Sequence, residues 1–225
     1  MVRAGMKLSR LLFFAATIIC CGQYQAQATD LDIDPIAQQA PEWCWAAAAQ
    51  MVLTHYRFPN LNQVGNYQCG VVGAQGGMCA ANCALCLGAG GTTQRIAAVL
   101  VNYAQVATAM TGFQGEGFHP RTGGIMSPGQ IIADIDNGAP ILAGITPTGI
   151  PYPPGLGFSH HAVVIVGYEG DEENLAVIIN DPYPYSPPLI PYLLAGGQML
   201  QPGQYQLSYR TFVQVFHYGN SIRFD

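Results

Sequence analysis

The sequence predicts an α+β fold in which helices come first and antiparallel strands follow. Two helix-forming segments lie in the first half of the chain, at residues 43–58 and 92–103. Two runs rich in β-branched residues follow in the second half, AVVIVGYEG at 162–170 and NLAVIINDP at 174–182. This order is typical of α+β domains, in which an N-terminal helical part packs on a C-terminal antiparallel sheet.

The helices have local start and stop signals. The stretch 43–58 is alanine-rich and almost wholly apolar, which predicts a buried central helix with Cys44 in its first turn. Thr92 or Thr93 is suited to cap the second helix. A third helix is expected to open at Ser127-Pro128 and to close at 137–138, an Asn-Gly pair.

The strands and loops follow from composition. The segment 139–145, APILAGI, predicts a short buried strand, and an acid-rich turn at 169–173 joins the two β-branched runs into a hairpin. A last strand is predicted at 211–218. Residues 60–91 are rich in Gly, Asn and Cys and predict an irregular, disulfide-tied segment.

The first 28 residues predict a secretory signal peptide. Basic residues precede the apolar run LLFFAATIICC, which is too short to span a bilayer, and Ala26-Gln27-Ala28 fits a small-x-small cleavage pattern. We therefore expect a secreted or periplasmic protein whose single domain spans residues 29–225, with no membrane anchor after cleavage.

Charge argues against several partners. The predicted signal holds three of the eight basic residues and none of the thirteen acidic ones, so the remaining chain has five against thirteen and a formal charge of −8. Without a basic cluster, nucleic acid and anionic lipid are poor partners. Nothing in the sequence indicates an oligomeric state.

Five cysteines remain after the predicted cleavage site. Four of them lie within 18 residues of one another and are expected to form two disulfides in an oxidising compartment: Cys69, Cys79, Cys83 and Cys86. The spacing leaves all three pairings open. A zinc site from the same four is the alternative, but the spacing is not a common zinc pattern, so we expect no metal and no cofactor. Cys44 is left over as a free thiol.

Residues suited to thiol catalysis occur in order along the chain. The start of a helix favours a thiolate at Cys44. His161 stands at the entrance to a strand as a candidate base, with His160 as the runner-up. Asp181 ends the next strand, where it could orient the imidazole, and Asn180 is the runner-up for that role.

These motifs resemble those of the papain-like cysteine proteases. Gln38 lies six residues before Cys44-Trp45, and the segments DIDNGAPIL, HAVVIVGY and NDP follow in the order seen in the bacterial branch of double-glycine leader peptidases and plant-pathogen effector proteases. The resemblance implies a papain-like fold. It also implies that Cys44 is the nucleophile, His161 the general base and acid, Asp181 its orienting partner and Gln38 an oxyanion donor.

The resemblance implies a secreted protease with a protein or peptide substrate. The same residues would serve an amide hydrolase or acyl transferase of the deamidase or transglutaminase type. A catalytically silent peptide-binding module is the other class, in which two proline-rich loops at 146–158 and 182–192 would wall a groove. Trp43 and Trp45 are expected to be core residues that shield the site.

Overall fold

An eight-stranded antiparallel sheet organises the part of the chain that the structure describes. The structure is a computed structural model that describes residues 28–146 and 160–224. Its strands run in the spatial order β2-β8-β3-β4-β5-β7-β6, and β1 pairs with the far end of β4. The strands are β1 (Ala28–Asp30), β2 (Pro120–Gly123), β3 (Ile141–Ile145), β4 (His161–Glu169), β5 (Ala176–Asn180), β6 (Gln198–Gln201), β7 (Gln204–Ser208) and β8 (Asn220–Phe224).

Helices cover both faces of this sheet. They are α1 (Cys44–His55), α2 (Tyr67–Gly73), α3 (Gly77–Ala81), α4 (Thr93–Thr111), α5 (Pro128–Asp136), α6 (Pro191–Leu194) and α7 (Tyr209–Gln214), with a 3-10 helix at Cys83–Cys86. The central helix α1 packs on β4, while α5 and α7 lie on the other face. The predicted α+β architecture is therefore confirmed.

Alternate residues of β4 face two different clusters of the hydrophobic core. Val164 and Val166 face the cluster that contains α1 and α4, whereas Val163 and Ile165 face the cluster that contains α5 and α7. Both faces of the strand are buried, which explains why it reads as a continuous apolar run. The core holds β4 rigidly, and with it the position of its first residue, His161.

Local capping agrees with the sequence at two helices. The side chain of Ser127 accepts a hydrogen bond from the Gln130 backbone N–H, and the Gln130 side chain reaches back to the Ser127 N–H, which completes a capping box for α5. Thr92 caps α4. That helix is longer than the predicted 92–103, because its Ala- and Gln-containing continuation carries no breaker until Gly112, which ends it at φ 72°.

Two expectations about elements are wrong. Residues 211–218 do not form a strand: the Ser208 side chain caps α7, which buries Phe212 and ends at Gln214, and residues 215–218 are irregular. The true last strand is β8, and the sheet also contains β1, β2, β6 and β7, which were not predicted. Residues 60–91 are not irregular throughout, because they include α2, α3 and the 3-10 helix.

The four clustered cysteines pair among themselves, as predicted. The disulfides are Cys69–Cys83 and Cys79–Cys86, and Cys44 is a free thiol. Within the described residues, no group of side chains is arranged to hold a metal ion.

The predicted signal peptide and the first proline-rich loop fall almost wholly on residues 1–27 and 147–159, outside the described residues. Across residues 28–146 and 160–224, no helix is both long and apolar enough to cross a membrane.

Candidate active site

Cys44 is the first residue of the central helix. Trp43 is the N-cap of α1, so the Cys44 backbone N–H is one of the donors that a helix leaves without an intrahelical partner. The thiol is partly exposed, although Trp43 and Trp45 on either side of it are buried. The positive end of the helix dipole therefore acts on a thiol that solutes are able to reach.

His161 lies opposite Cys44, at the start of β4. It is buried, and its Nε2 is 2.7 Å from Oδ1 of Asp181, which directly follows β5. This pairing follows from the β4–β5 register, in which Val164 lies opposite Asn180. Cys44 also acts on the ring electrostatically, to a smaller extent than Asp181. Asp181 holds Nε2, and Cys44 and His161 line the same cavity.

The Asp181 carboxylate is bonded on both oxygens. Oδ1 accepts from the Tyr183 backbone N–H at 2.8 Å in addition to His161. Oδ2 accepts from the Tyr192 hydroxyl at 2.6 Å and from the Tyr185 hydroxyl at 3.3 Å. Four donors thus hold a buried carboxylate in one orientation. They fix the plane in which the imidazole of His161 is held.

Electrostatics favour the charged form of His161. Burial lowers its pKa, but the charge and hydrogen bond of Asp181 and the smaller effect of Cys44 outweigh burial and raise the pKa from 6.5 to about 10. The imidazole is therefore charged at neutral pH beside the thiol. An adjacent imidazolium is the partner that stabilises a thiolate.

Gln38 is near this group but does not face it. Its side-chain amide donates to the carbonyl oxygens of Ala40 at 2.9 Å and Pro41 at 2.7 Å, which uses both amide protons. Gln38 is also not among the residues that line the cavity of Cys44 and His161. Its backbone is fixed, because its N–H donates to the Pro182 carbonyl at 2.8 Å. The predicted oxyanion role requires the side chain to release one carbonyl.

The two runner-up residues, Asn180 and His160, have other surroundings than their predicted roles require. Asn180 is fully buried, and its side chain donates to the Ile33 carbonyl and accepts from Gln204, so it anchors the N-terminal segment rather than the imidazole. His160 is exposed on the cavity wall, whereas His161 is the histidine bonded to Asp181. Geometry therefore favours Asp181 and His161 over these alternatives.

A cavity of about 680 Å³ opens beside Cys44 and His161. One wall comes from residues 90–94, at the start of α4, and the opposite wall comes from β3 and β4. Asn220 lies between them, where its Oδ1 accepts from the Thr93 hydroxyl at 2.6 Å. Apolar side chains line much of the remaining surface: Trp45, Ile96, Leu142, Ile145 and Ala162. The cavity is large enough for side chains of a peptide.

The second proline-rich loop does not line this cavity. Residues 182–192 instead contribute Tyr183, Tyr185 and Tyr192 to the far side of Asp181. This role was not predicted from the sequence. The available signal was the row of tyrosines that follows Asp181-Pro182, since a tyrosine hydroxyl near a buried carboxylate is a ready donor.

Two comparisons with known proteins find a match. A sequence model described as the Peptidase_C39 like family matches residues 30–188, a range that includes Cys44, His161 and Asp181. A crystal structure described as that of a C39-like peptidase from Bacillus anthracis is 15% identical, with 88% of this chain and 98% of that chain covered and a TM-score of 0.48. No curated protein matches. The chain belongs to the Peptidase_C39-like family.

Proposed function

We propose that this protein is an exported cysteine peptidase that hydrolyses peptide bonds through a thioester on Cys44. The observation that carries this proposal is the buried His161, bonded to Asp181 on one side and interacting with Cys44 at a helix start on the other. Each group needed for acyl transfer by a thiol is present: nucleophile, proton carrier and orienting carboxylate.

The chemistry proceeds in two halves. The Cys44 thiolate attacks the peptide carbonyl carbon, and the Cys44 backbone N–H donates to the oxyanion that forms. His161 gives its proton to the leaving amine as the C–N bond breaks, which leaves a thioester. His161 then takes a proton from water, the hydroxide attacks the thioester, and the released thiolate and imidazolium restore the starting pair.

Gln38 is proposed as a second oxyanion donor. Its amide group donates hydrogen bonds to the carbonyl oxygens of Ala40 and Pro41, shortly before the start of α1. Release of one of these bonds would free a proton for the oxyanion when substrate is bound. The Pro182 carbonyl keeps the Gln38 backbone in place during that change.

Export is proposed from the predicted signal peptide and the two disulfides. Disulfides persist in oxidising compartments, where they stabilise the segment 67–86. A free thiol in the same compartment is unusual unless it has a function. Cys44 is that thiol.

The test is alkylation of Cys44 by iodoacetamide at pH 5, followed by mass spectrometry. An unperturbed thiol is almost wholly protonated at this pH and reacts slowly. We expect fast modification of wild-type Cys44 and slow modification in His161→Ala. His160→Ala is the matched control, because that histidine lies on the same cavity without the bond to Asp181, and it should react as wild type does.

Product analysis decides the reaction. Fluorescein-labelled casein incubated with wild type should yield new peptide N-termini, and Cys44→Ala should yield none. Deamidated or amine-ligated glutamine in place of cleavage would reassign the protein to the amide hydrolase or acyl transferase class. Equal, slow modification of Cys44 in wild type and His161→Ala would contradict a catalytic role and favour a silent binding module.

A further inference from the structure

We propose that Trp43 and Trp45 are positioning residues that hold the disulfide-tied segment against the nucleophile helix, so that the end of this segment forms one wall of the substrate cleft. The disulfide-tied segment is residues 67–91. This inference rests on the proposed function, because it concerns how that site binds peptide. It explains why tryptophan occurs on both sides of Cys44.

Two indole hydrogen bonds join the helix to the segment. Trp43 donates from Nε1 to the Cys86 carbonyl at 3.1 Å, and Trp45 donates from Nε1 to the Ala89 carbonyl at 2.8 Å. Both tryptophans are almost completely buried, at 3% and 2% exposure. Because a buried indole N–H requires an acceptor, these bonds set the distance between α1 and the segment.

The disulfides make the segment able to hold its acceptors in place. Its helices have seven, five and four residues, too few to be stable alone in water. The Cys79–Cys86 bridge fixes the residue whose carbonyl Trp43 uses, and Cys69–Cys83 ties the same turn to α2. The covalent links therefore add to the packing of Val71 and Val72 in the core.

The segment ends directly in the cleft. Gly90 and Gly91 line the cavity that contains Cys44, one and two residues after the acceptor of Trp45. A Cβ at Gly91 would lie 2.6 Å from the Ile96 side chain and 3.2 Å from the Trp45 ring. Gly91 is therefore packed closely against both side chains. A shift of the segment would therefore change the width of the cleft.

The thiol chemistry uses different contacts. His161 is held by Asp181, on the other side of the cavity, and neither indole bond involves that pair. Loss of an indole bond should accordingly weaken peptide binding and leave the reactivity of Cys44 unchanged. This split separates a positioning role from a direct catalytic one.

The experiment compares two reagents on Cys44. The rate of reaction with iodoacetamide depends on the thiol alone. The rate of reaction with a set of capped dipeptidyl vinyl sulfones depends also on binding of the peptide part to the cleft walls. The quantity measured is the ratio of the second-order rate constants, peptidyl reagent over iodoacetamide, in the folded protein. For Trp45→Phe, which keeps an aromatic ring but loses the N–H, we expect this ratio to fall roughly fivefold, the effect of one neutral hydrogen bond. Cys79→Ser/Cys86→Ser should lower it at least as much.

Tyr209→Phe is the matched control. It removes a hydroxyl that donates to the Met126 carbonyl at 2.7 Å on the opposite face of the sheet, and its ratio should equal that of wild type. Circular dichroism spectra identify any variant that does not fold, and Trp43→Phe provides an independent test of the same segment.

An unchanged ratio in Trp45→Phe would overturn the proposal. Equal loss with both reagents would also overturn it, because Trp45 would then act on the thiol itself. Failure of the proposed function has a different signature, since wild type and His161→Ala would then react equally with iodoacetamide, whatever the ratio shows for the tryptophan variants.

Discussion

Replacing Asp181 with asparagine separates the charge of this side chain from its hydrogen-bonding shape. An asparagine Oδ1 is able to accept from His161 Nε2 and from the Tyr183 N–H, while the rotatable Tyr192 hydroxyl is able to accept from the new Nδ2. The fold should therefore survive. What is lost is the negative charge that raises the pKa of His161.

The size of the effect follows from the bond to the imidazolium. A hydrogen bond to a charged group contributes about 1.5–3 kcal/mol and a neutral one about 0.5–1.5 kcal/mol, so the change weakens the charged pair by about 1–2 kcal/mol. This corresponds to roughly a 5- to 30-fold smaller equilibrium constant for protonation of His161. The rate of Cys44 alkylation at pH 5 should fall by that factor and should approach the wild-type rate above pH 9.

The assay is the alkylation rate from pH 4 to pH 10, with the imidazole of His161 titrated by NMR in parallel. Asp134→Asn is the matched control, because it removes another buried carboxylate, the partner of Arg223, and should leave the profile unchanged. A profile for Asp181→Asn that equals wild type would refute the reasoning, as would an equal loss at every pH.

Three further predictions concern the same group. Tyr192→Phe keeps the stacked ring but removes a donor from Asp181, so the free energy of unfolding in urea should fall by about 1–3 kcal/mol while alkylation at pH 5 stays fast. Gln38→Ala should lower kcat on casein by roughly 10²-fold with Cys44 alkylation unchanged, and an unchanged kcat would remove Gln38 from the oxyanion site. The pKa of His161 is higher in the folded protein than in the unfolded chain, so its protonation stabilises the fold fully below pH 6.5, and this contribution is lost as the pH rises through about 10. The Tm of wild type should therefore decline over that interval, and the Tm of His161→Gln should not.

The positions of the three candidate catalytic residues were predictable because they are encoded locally. Cys44 begins a helix that the alanine run defines, and His161 begins a strand that the run of β-branched residues defines. Asp181 follows the adjacent strand, so a hairpin alone brings it to the histidine. Each of these placements depends on an element and its neighbour, which is the range over which sequence patterns are informative.

Contacts over long sequence distances were not predictable in the same way. The tyrosines that hold Asp181 come from a loop whose path depends on proline geometry and tertiary packing. Strand β8 lies between β2 and β3, a placement that no local pattern specifies. The helix α7 contains residues that favour strands, such as Phe212 and Val213, and the burial of Phe212 in the core overrides propensity there.

The arrangement of cysteines is compatible with the proposed export of a protein that keeps one free thiol. A disulfide requires two Cα atoms within about 4.4–6.8 Å, so a partner must approach closely. The four clustered cysteines form two disulfides with Cα–Cα distances of 5.3 and 5.7 Å, so none of these four has a thiol that could exchange with Cys44. Cys44 lies between two buried tryptophans, with its exposed side on the cavity. The cavity is therefore the side from which a reagent reaches this thiol.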